Sequence, residues 1–300
     1  MGVRFWLASL ASLLIAGRAE AFLCARVSTS SDLGPSLAWF SRDIAFTLHA
    51  AGTRDIEGDA EFDVLRASFE AWASVSVPGG TTACGLAALT DLSFRETGMS
   101  NIDRVGYDFL HPEASENLLI FRDSGWDVAE SNVIALTTTT YDPVHGEILD
   151  ADIEFNSTVF DFTVGIPVSM DLANTAVHEV GHFLGLAHTQ SENDDATMFA
   201  RAVPGETKKA SLACDDALAI VFKYPAGEAN GYCSPPTQTC GNCAPPRDEN
   251  GTPAVTVIDK SDDGRLQYGC ASMRPVAYGI LLAIALRRFL RTARLRRLFS

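Results

Sequence analysis

Three histidines and one glutamate lie close together in the middle of the 300-residue chain. His178, Glu179, His182, Gly185 and His188 follow the spacing H-E-x-x-H-x-x-G-x-x-H. Three neutral imidazoles suit one tetrahedral Zn²⁺ and leave its fourth position for water. A helix places residues four apart on one face, so the first two histidines can bind the same ion. The spacing predicts one catalytic zinc with His178, His182 and His188 as ligands.

Glu179 lies beside these ligands in the sequence. Its position predicts a hydrolytic reaction. Zinc lowers the pKa of a bound water toward ~7 and polarises a carbonyl group. We expect Glu179 to activate the zinc-bound water as a general base and then to protonate the leaving amine. A short H-E-x-x-H can also arise by chance on an acidic helix, where its histidines are ordinary surface residues. The longer spacing, with Met198 ten residues after the last histidine, argues against chance.

A helix has to position this motif. The pattern over 171–184 predicts a helix with Ser169 or Asp171 as its N-cap. Gly185 can then end the helix in a left-handed conformation, which turns the chain so that His188 reaches the metal.

The surrounding segments predict an α/β fold of the α+β sandwich type, with a twisted mixed sheet, an active-site helix and a C-terminal helix. The residues of one helix stripe recur at spacings of three and four, typical of packing on a sheet: Phe62, Leu65, Phe69 and Trp72. We also expect 131–141 to be an exposed, Thr-rich edge strand. The predicted strands are 44–48, 84–94, 117–121, 131–141 and 148–155, and the predicted flanking helices are 61–75 and 211–222.

Charge excludes one class of partner. The formal net charge is −15, but residues 287–300 contribute +6 and residues 1–21 contribute +1. Residues 22–286 therefore carry −22. A region this acidic repels phosphate groups, so no nucleic acid is expected as a partner. We expect a monomer that acts on protein or peptide substrates.

The cysteines indicate an oxidising compartment. Cys240 and Cys243 form C-x-x-C, which also occurs in redox and zinc motifs, but the surrounding Pro and Gly favour disulfides. The pairing cannot be deduced from the spacing. The seven cysteines are at positions 24, 84, 214, 233, 240, 243 and 270.

Residues 1–21 have the pattern of a secretory signal peptide. Arg4 gives the positive start, residues 5–16 the apolar middle, and residues 19–21 a small-x-small cleavage site. The alternative is an N-terminal membrane anchor, but the apolar run is shorter than the ~20 residues that a span needs. We therefore expect a secreted or cell-surface protein.

With these residues in view, the chain resembles the metzincin metalloproteases, and among them the matrixin-like secreted bacterial enzymes. Residues 196–200 (ATMFA) resemble the matrixin Met-turn, with Met198 beneath the metal. Residues 146–156 resemble the strand before the zinc helix, and residues 214–220 the start of the last helix. The resemblance covers roughly residues 36–225. It implies a substrate lying extended in a cleft, paired with 131–139, and a specificity pocket walled by residues after Met198.

The chain also departs from the matrixin pattern. No cysteine-switch prodomain is expected between the predicted cleavage site and the first strand. Leu136 and Ile153 stand where matrixins have structural-zinc histidines, so no second zinc is predicted.

Calcium is the expected second ion. Asp150, Asp152 and Glu154 alternate along one strand, share a face and offer hard oxygen ligands. The alternative is an acidic strand facing solvent. Asp215 and Asp216 are expected to cap the last helix instead.

The C-terminal end has a pattern of its own. Residues 275–286 are apolar and uncharged, and residues 287–300 contain six arginines. This is compatible with a basic amphipathic helix or a solvated tail, or with a short membrane segment. Together with Cys270 it resembles the sorting tails of myxobacterial surface proteins.

We therefore expect an exported zinc endopeptidase. The alternatives are a non-catalytic zinc-containing binding protein, and a zinc hydrolase of a non-protein amide such as a cell-wall crosslink. The expected organisation is a signal peptide at 1–21, a catalytic domain at 22–225, a Cys/Pro/Gly-rich linker at 226–269 and a sorting or anchor tail at 270–300.

Overall fold

A computed structural model gives the fold. It describes residues 22–27, 34–73, 75–77, 88–126, 132–166, 168–189, 195–231 and 265–272. Three α-helices are present in these ranges: α1 (Ala60–Ala73), α2 (Leu172–Phe183) and α3 (Cys214–Lys223). None of the described helices is long and apolar enough to cross a membrane.

Seven strands form one mixed sheet. These strands are β2 (Asp43–His49), β5 (Ser93–Ser100), β6 (Leu118–Phe121), β7 (Val133–Tyr141), β8 (Ile148–Phe155), β12 (Arg201–Ala202) and β13 (Arg265–Ser272). Their order in the sheet is β12-β13-β7-β8-β6-β2-β5. Strands β5, β2, β6 and β8 pair in parallel, whereas β7 is antiparallel to both β8 and β13. The last pair, β13 and β12, is parallel.

Six short strands form three two-stranded ladders outside this sheet. They are β1 (Leu23–Cys24) with β11 (Leu186–Ala187), β3 (Ser76–Val77) with β4 (Ala88–Leu89), and β9 (Phe162–Thr163) with β10 (Met170–Asp171). The β1–β11 ladder holds the chain immediately before His188.

Helices α1 and α2 pack together over the core, and the predicted apolar stripe of α1 is buried. Two indole groups hold α2 in place. Trp72 Nε1 donates to the Val177 carbonyl at 2.9 Å, and Trp39 Nε1 donates to the Phe183 carbonyl at 2.8 Å. The second bond satisfies a carbonyl of the last helical turn, which has no partner within the helix.

The mixed α/β architecture and most element positions agree with the sequence-based predictions. Strand β8 has the predicted bounds, and α2 begins one residue after its N-cap, Asp171, whose carboxylate accepts the Asn174 N–H at 2.7 Å. The strand predicted at 84–94 lies partly outside the described residues; its described part contains β4 and the first two residues of β5.

One strand prediction is wrong. We expected 131–141 to be an exposed edge strand, but every residue of β7 is buried. The reason is tertiary, because β13 pairs along the side of β7 that faces away from β8. Strand β13 also crosses the boundary expected between linker and tail at residues 269 and 270. The domain limits themselves stay a prediction.

Candidate active site

The structure brings the three predicted zinc ligands together. Their Nε2 atoms are 3.1 Å apart for His178 and His182, 3.0 Å for His182 and His188, and 3.3 Å for His178 and His188. Tetrahedral Zn–N bonds of about 2.0–2.1 Å give N···N separations of about 3.3 Å. Among the described residues, this is the group of metal-ligating side chains that could hold an ion.

Backbone carbonyls set the tautomers of two of these imidazoles. His178 Nδ1 lies 2.5 Å from the Thr197 carbonyl, and His182 Nδ1 lies 2.9 Å from the Leu186 carbonyl. Because a carbonyl only accepts, both Nδ1 atoms carry the proton and both Nε2 atoms present a lone pair. Lone pairs about 3 Å apart repel one another unless a cation lies between them. The donor set therefore fits zinc.

Burial keeps the histidines neutral. It lowers the pKa of His182 to about 4 and lowers the pKa values of His178 and His188 well below the usual value. The neighbouring imidazoles add to the effect on His178 and His188. Since the charged form is disfavoured in this interior, the metal-binding form is present at neutral pH.

Glu179 lies in the same buried site and contacts the sheet. Its side chain is fully buried, and its Oε2 accepts a hydrogen bond from Thr137 Oγ1 at 2.7 Å. Thr137 belongs to β7, so this bond joins the sheet to α2, the predicted zinc helix that carries His178 and His182. Sequence patterns did not single out Thr137, because residues 137–140 are four consecutive threonines. Side chains along a strand alternate between its two faces, but four identical residues do not show which of them face α2.

Gly185 ends the zinc helix as predicted. Its φ of +78° is left-handed, and a Cβ there would lie 2.4 Å from the Leu37 carbonyl oxygen. The following strand β11 pairs with β1 and directs the chain to His188. Beyond it, the Thr189 N–H donates to the Met198 carbonyl at 2.9 Å, so the third ligand is tied to the Met-turn.

Met198 packs where the resemblance implied, against the zinc helix. It is 3% exposed, and Gly181 lies against its side chain. A Cβ on Gly181 would lie 2.2 Å from Met198 Sδ and 3.0 Å from Trp72 Cζ2. Gly181 therefore permits the close approach of α2 to the Met-turn. Gly181 was not singled out from the sequence, although its place between the two helical histidines was visible.

Asp216 joins the Met-turn to the last helix. Its carboxylate accepts the N–H groups of Thr197 at 2.7 Å and Met198 at 3.0 Å. It also accepts the Ala213 N–H at 3.1 Å, which is the predicted capping role at the start of α3. The link to the Met-turn was not predicted. It depends on residues 18 and 19 positions apart that only the folded chain brings together.

Two of the three carboxylates predicted to bind calcium are buried. Asp150 and Asp152 are 1% and 0% exposed, so the alternative of a solvent-facing acidic strand is wrong. Burial and the adjacent Asp150 raise the pKa of Asp152 well above its usual value. Glu154 instead pairs with Arg122, whose Nε lies 2.6 Å from Oε2. Calcium binding by these three residues stays a prediction.

Other predictions fall outside the described residues. These are the signal peptide at 1–21, the C-x-x-C pair and the arginine-rich end of the chain.

A helix that carries converging imidazoles and a buried glutamate against a mixed sheet defines a metallopeptidase-type domain. Comparison with known proteins identifies the group. The peptidase M10 family, described as matrixin, matches residues 38–224. Since this match covers more than half of the chain, the protein belongs to the matrixin family.

Plant proteins are among the similar sequences. Metalloendoproteinase 2-MMP of Arabidopsis thaliana is 33% identical over 132 residues, which are 43% of this chain and 33% of that protein. Metalloendoproteinase 5-MMP is 46% identical over 68 residues, or 22% of this chain and 18% of that protein. Metalloendoproteinase 4-MMP is 33% identical over 92 residues, which are 31% of this chain and 26% of that protein. The chain thus matches a third or less of the length of these relatives.

Proposed function

We propose that this protein is an exported, zinc-dependent endopeptidase that hydrolyses peptide bonds. The observation that carries the proposal is the convergence of three Nε2 atoms within 3.3 Å of one another beside the buried Glu179. Membership of the matrixin family supports zinc as the metal and peptides as the substrate class.

His178, His182 and His188 would hold the zinc. When bound, zinc lowers the pKa of a water and polarises the carbonyl of the scissile bond. Glu179 accepts the proton of the attacking water and passes it to the leaving nitrogen. Thr137 keeps the Glu179 carboxylate in one position through its 2.7 Å hydrogen bond, so proton transfer needs no rearrangement of the base.

The test compares the wild type with Glu179→Ala. Bound zinc is measured in both proteins, and both are incubated with a random peptide library whose products are identified by mass spectrometry. We expect zinc in both and cleavage by the wild type alone. Glu70→Ala, on an exposed position of α1, is the matched control and should cleave normally. Equal products from wild type and Glu179→Ala would refute the proposal, as would zinc-free wild type.

Export and disulfide formation are parts of the same proposal. The pattern of residues 1–21 and the seven cysteines support them. The N-terminal sequence of protein recovered from the culture medium tests export; a chain that keeps Met1 and stays inside cells contradicts it. Mass spectrometry of the same sample tests the tail, since an intact Ser300 contradicts removal by sorting. Size-exclusion chromatography tests the expected monomer.

Calcium is proposed as a second ion at Asp150, Asp152 and Glu154. The alternation of these carboxylates along β8 and the burial of Asp150 and Asp152 support it. Melting temperatures are compared with and without calcium in the wild type and in Asp152→Ala. We expect calcium to raise the melting temperature of the wild type and to leave that of Asp152→Ala unchanged. An unchanged wild-type melting temperature would contradict calcium binding.

A further inference from the structure

Strand β13 lies along the free side of β7. The register is antiparallel from Arg265 opposite Thr140 to Cys270 opposite Ala135, and it shifts between Cys270 and Ala271. On its other side, β13 pairs in parallel with β12, where Ala271 is opposite Arg201. A segment from the C-terminal part of the chain is thus enclosed between two strands of the matrixin domain.

The register places this segment at the active site. Tyr268 lies opposite Thr137, the residue whose hydroxyl contacts Glu179. Strand β12 begins three residues after Met198, which packs against the zinc helix. The Cα atoms of β13 also come within 8 Å of those of α2. The backbone at Tyr268 therefore runs along the sheet wall of the site, and β13 reaches β12, on the Met-turn side, at Ala271 and Ser272.

A peptide substrate would need the same backbone groups. An open strand edge binds an extended peptide by antiparallel hydrogen bonding, largely independently of its side chains. The N–H and C=O groups of β7 that face β13 can pair with only one partner at a time. We propose that residues 265–272 occupy the substrate position on β7 and inhibit peptide cleavage in cis. This inference rests on the proposed endopeptidase function.

The covalent connection makes such competition effective. A tethered segment acts at an effective concentration of about 1 mM. If the strand itself binds with a Kd of about 0.1 mM, it raises the apparent KM for a competing peptide about tenfold. A change of that size is measurable by steady-state kinetics.

The test removes backbone donors from β13 in the full chain. Successive N–H groups of a strand point to opposite sides, so two consecutive prolines remove one donor toward β7 whichever register phase applies. The variant is Gln267→Pro with Tyr268→Pro. The matched control, Gln267→Ala with Tyr268→Ala, changes the same side chains and keeps both N–H groups. We expect the apparent KM for a peptide substrate to fall about tenfold in the proline pair, with kcat unchanged, and to stay at the wild-type value in the alanine pair.

A second readout does not depend on activity. The probe is a fluorescein-labelled synthetic peptide with the sequence of residues 263–272, added to each variant in a Glu179→Ala background. We expect it to bind the proline pair at least tenfold more tightly than the alanine pair. Hydrogen exchange of the β7 amides that face β8 serves as the folding control and should stay slow in both.

The outcomes separate the two proposals. Equal KM values and equal peptide binding in the proline and alanine pairs would overturn the cis inhibition, even if the enzyme is active. A chain cut within residues 265–272 in the purified wild type would overturn it too, since a cleaved strand no longer competes. If no variant cleaves peptides, the endopeptidase proposal fails, and the labelled peptide alone decides whether β13 occupies the site.

Discussion

The hydroxyl of Thr137 lies 2.7 Å from Oε2 of Glu179 and joins β7 to the zinc helix. Both residues are fully buried. This contact couples the strand that borders the cleft to the carboxylate proposed as the general base. A hydrogen bond between a hydroxyl and an ionised carboxylate contributes roughly 1.5–3 kcal/mol.

Thr137→Val tests this contact. Valine keeps the shape of threonine but cannot donate, so the ionised Glu179 loses a stabilising partner. We expect kcat to fall about tenfold and the acidic limb of the kcat/KM profile to move to higher pH, with bound zinc unchanged. Thr139→Val is the control, because Thr139 Oγ1 is buried without a hydrogen-bond partner among the described residues. Equal pH profiles for wild type and Thr137→Val would contradict the assignment.

Gly181→Ala tests the packing of the Met-turn beneath the zinc helix. The added Cβ would meet Met198 Sδ and the Trp72 ring, so one of them has to move. We expect a loss of about 1–3 kcal/mol in the free energy of unfolding, measured by denaturant titration. Combined with Met198→Ala, the substitution should cost less than the sum of the two single changes. Strict additivity would show that Gly181 and Met198 do not interact.

Asp216→Asn tests the link between the Met-turn and α3. The asparagine oxygen can replace only one carboxylate oxygen, and its NH₂ group would face a backbone N–H. We expect a loss of about 2–4 kcal/mol in the free energy of unfolding, with weaker zinc binding as Met198 shifts. Asp63→Asn, whose side chain is 85% exposed, should leave both quantities unchanged. A stable Asp216→Asn protein with wild-type zinc affinity would refute the role.

Because Lys223 is buried, we expect the stability of the protein to depend on pH. Its ammonium group is fully buried and donates to the Leu37 carbonyl, and burial lowers its pKa from 10.5 to about 7. Between pH 7 and 10.5 the unfolded chain therefore binds more protons than the folded one, so stability rises with pH across this window.

Comparison with Lys223→Met isolates this contribution, because methionine does not titrate. The free energy of unfolding of the wild type, relative to the variant, should increase above pH 7 by at most about 1.4 kcal/mol per pH unit. A difference between the wild type and Lys223→Met that does not change with pH would contradict the shift.

Much of the site could be predicted from the sequence because it is local. His178 and His182 are one helical turn apart, and Gly185 supplies the left-handed turn that returns the chain toward His188. The α1 stripe and strand β8 were predictable for the same reason, since helical and strand periodicity are short-range patterns. The family resemblance then added Met198, whose position depends on the fold.

The tertiary structure decided what joins distant parts of the chain. Thr137 and Asp216 contact the site across 42 and 19 positions, and sequence spacing contains no signal for such pairs. The largest difference is at β7, which its own composition presented as an exposed edge. Residues 265–272 pair with it from more than 120 positions away, because unpaired backbone groups at a sheet edge accept any extended segment that can reach them.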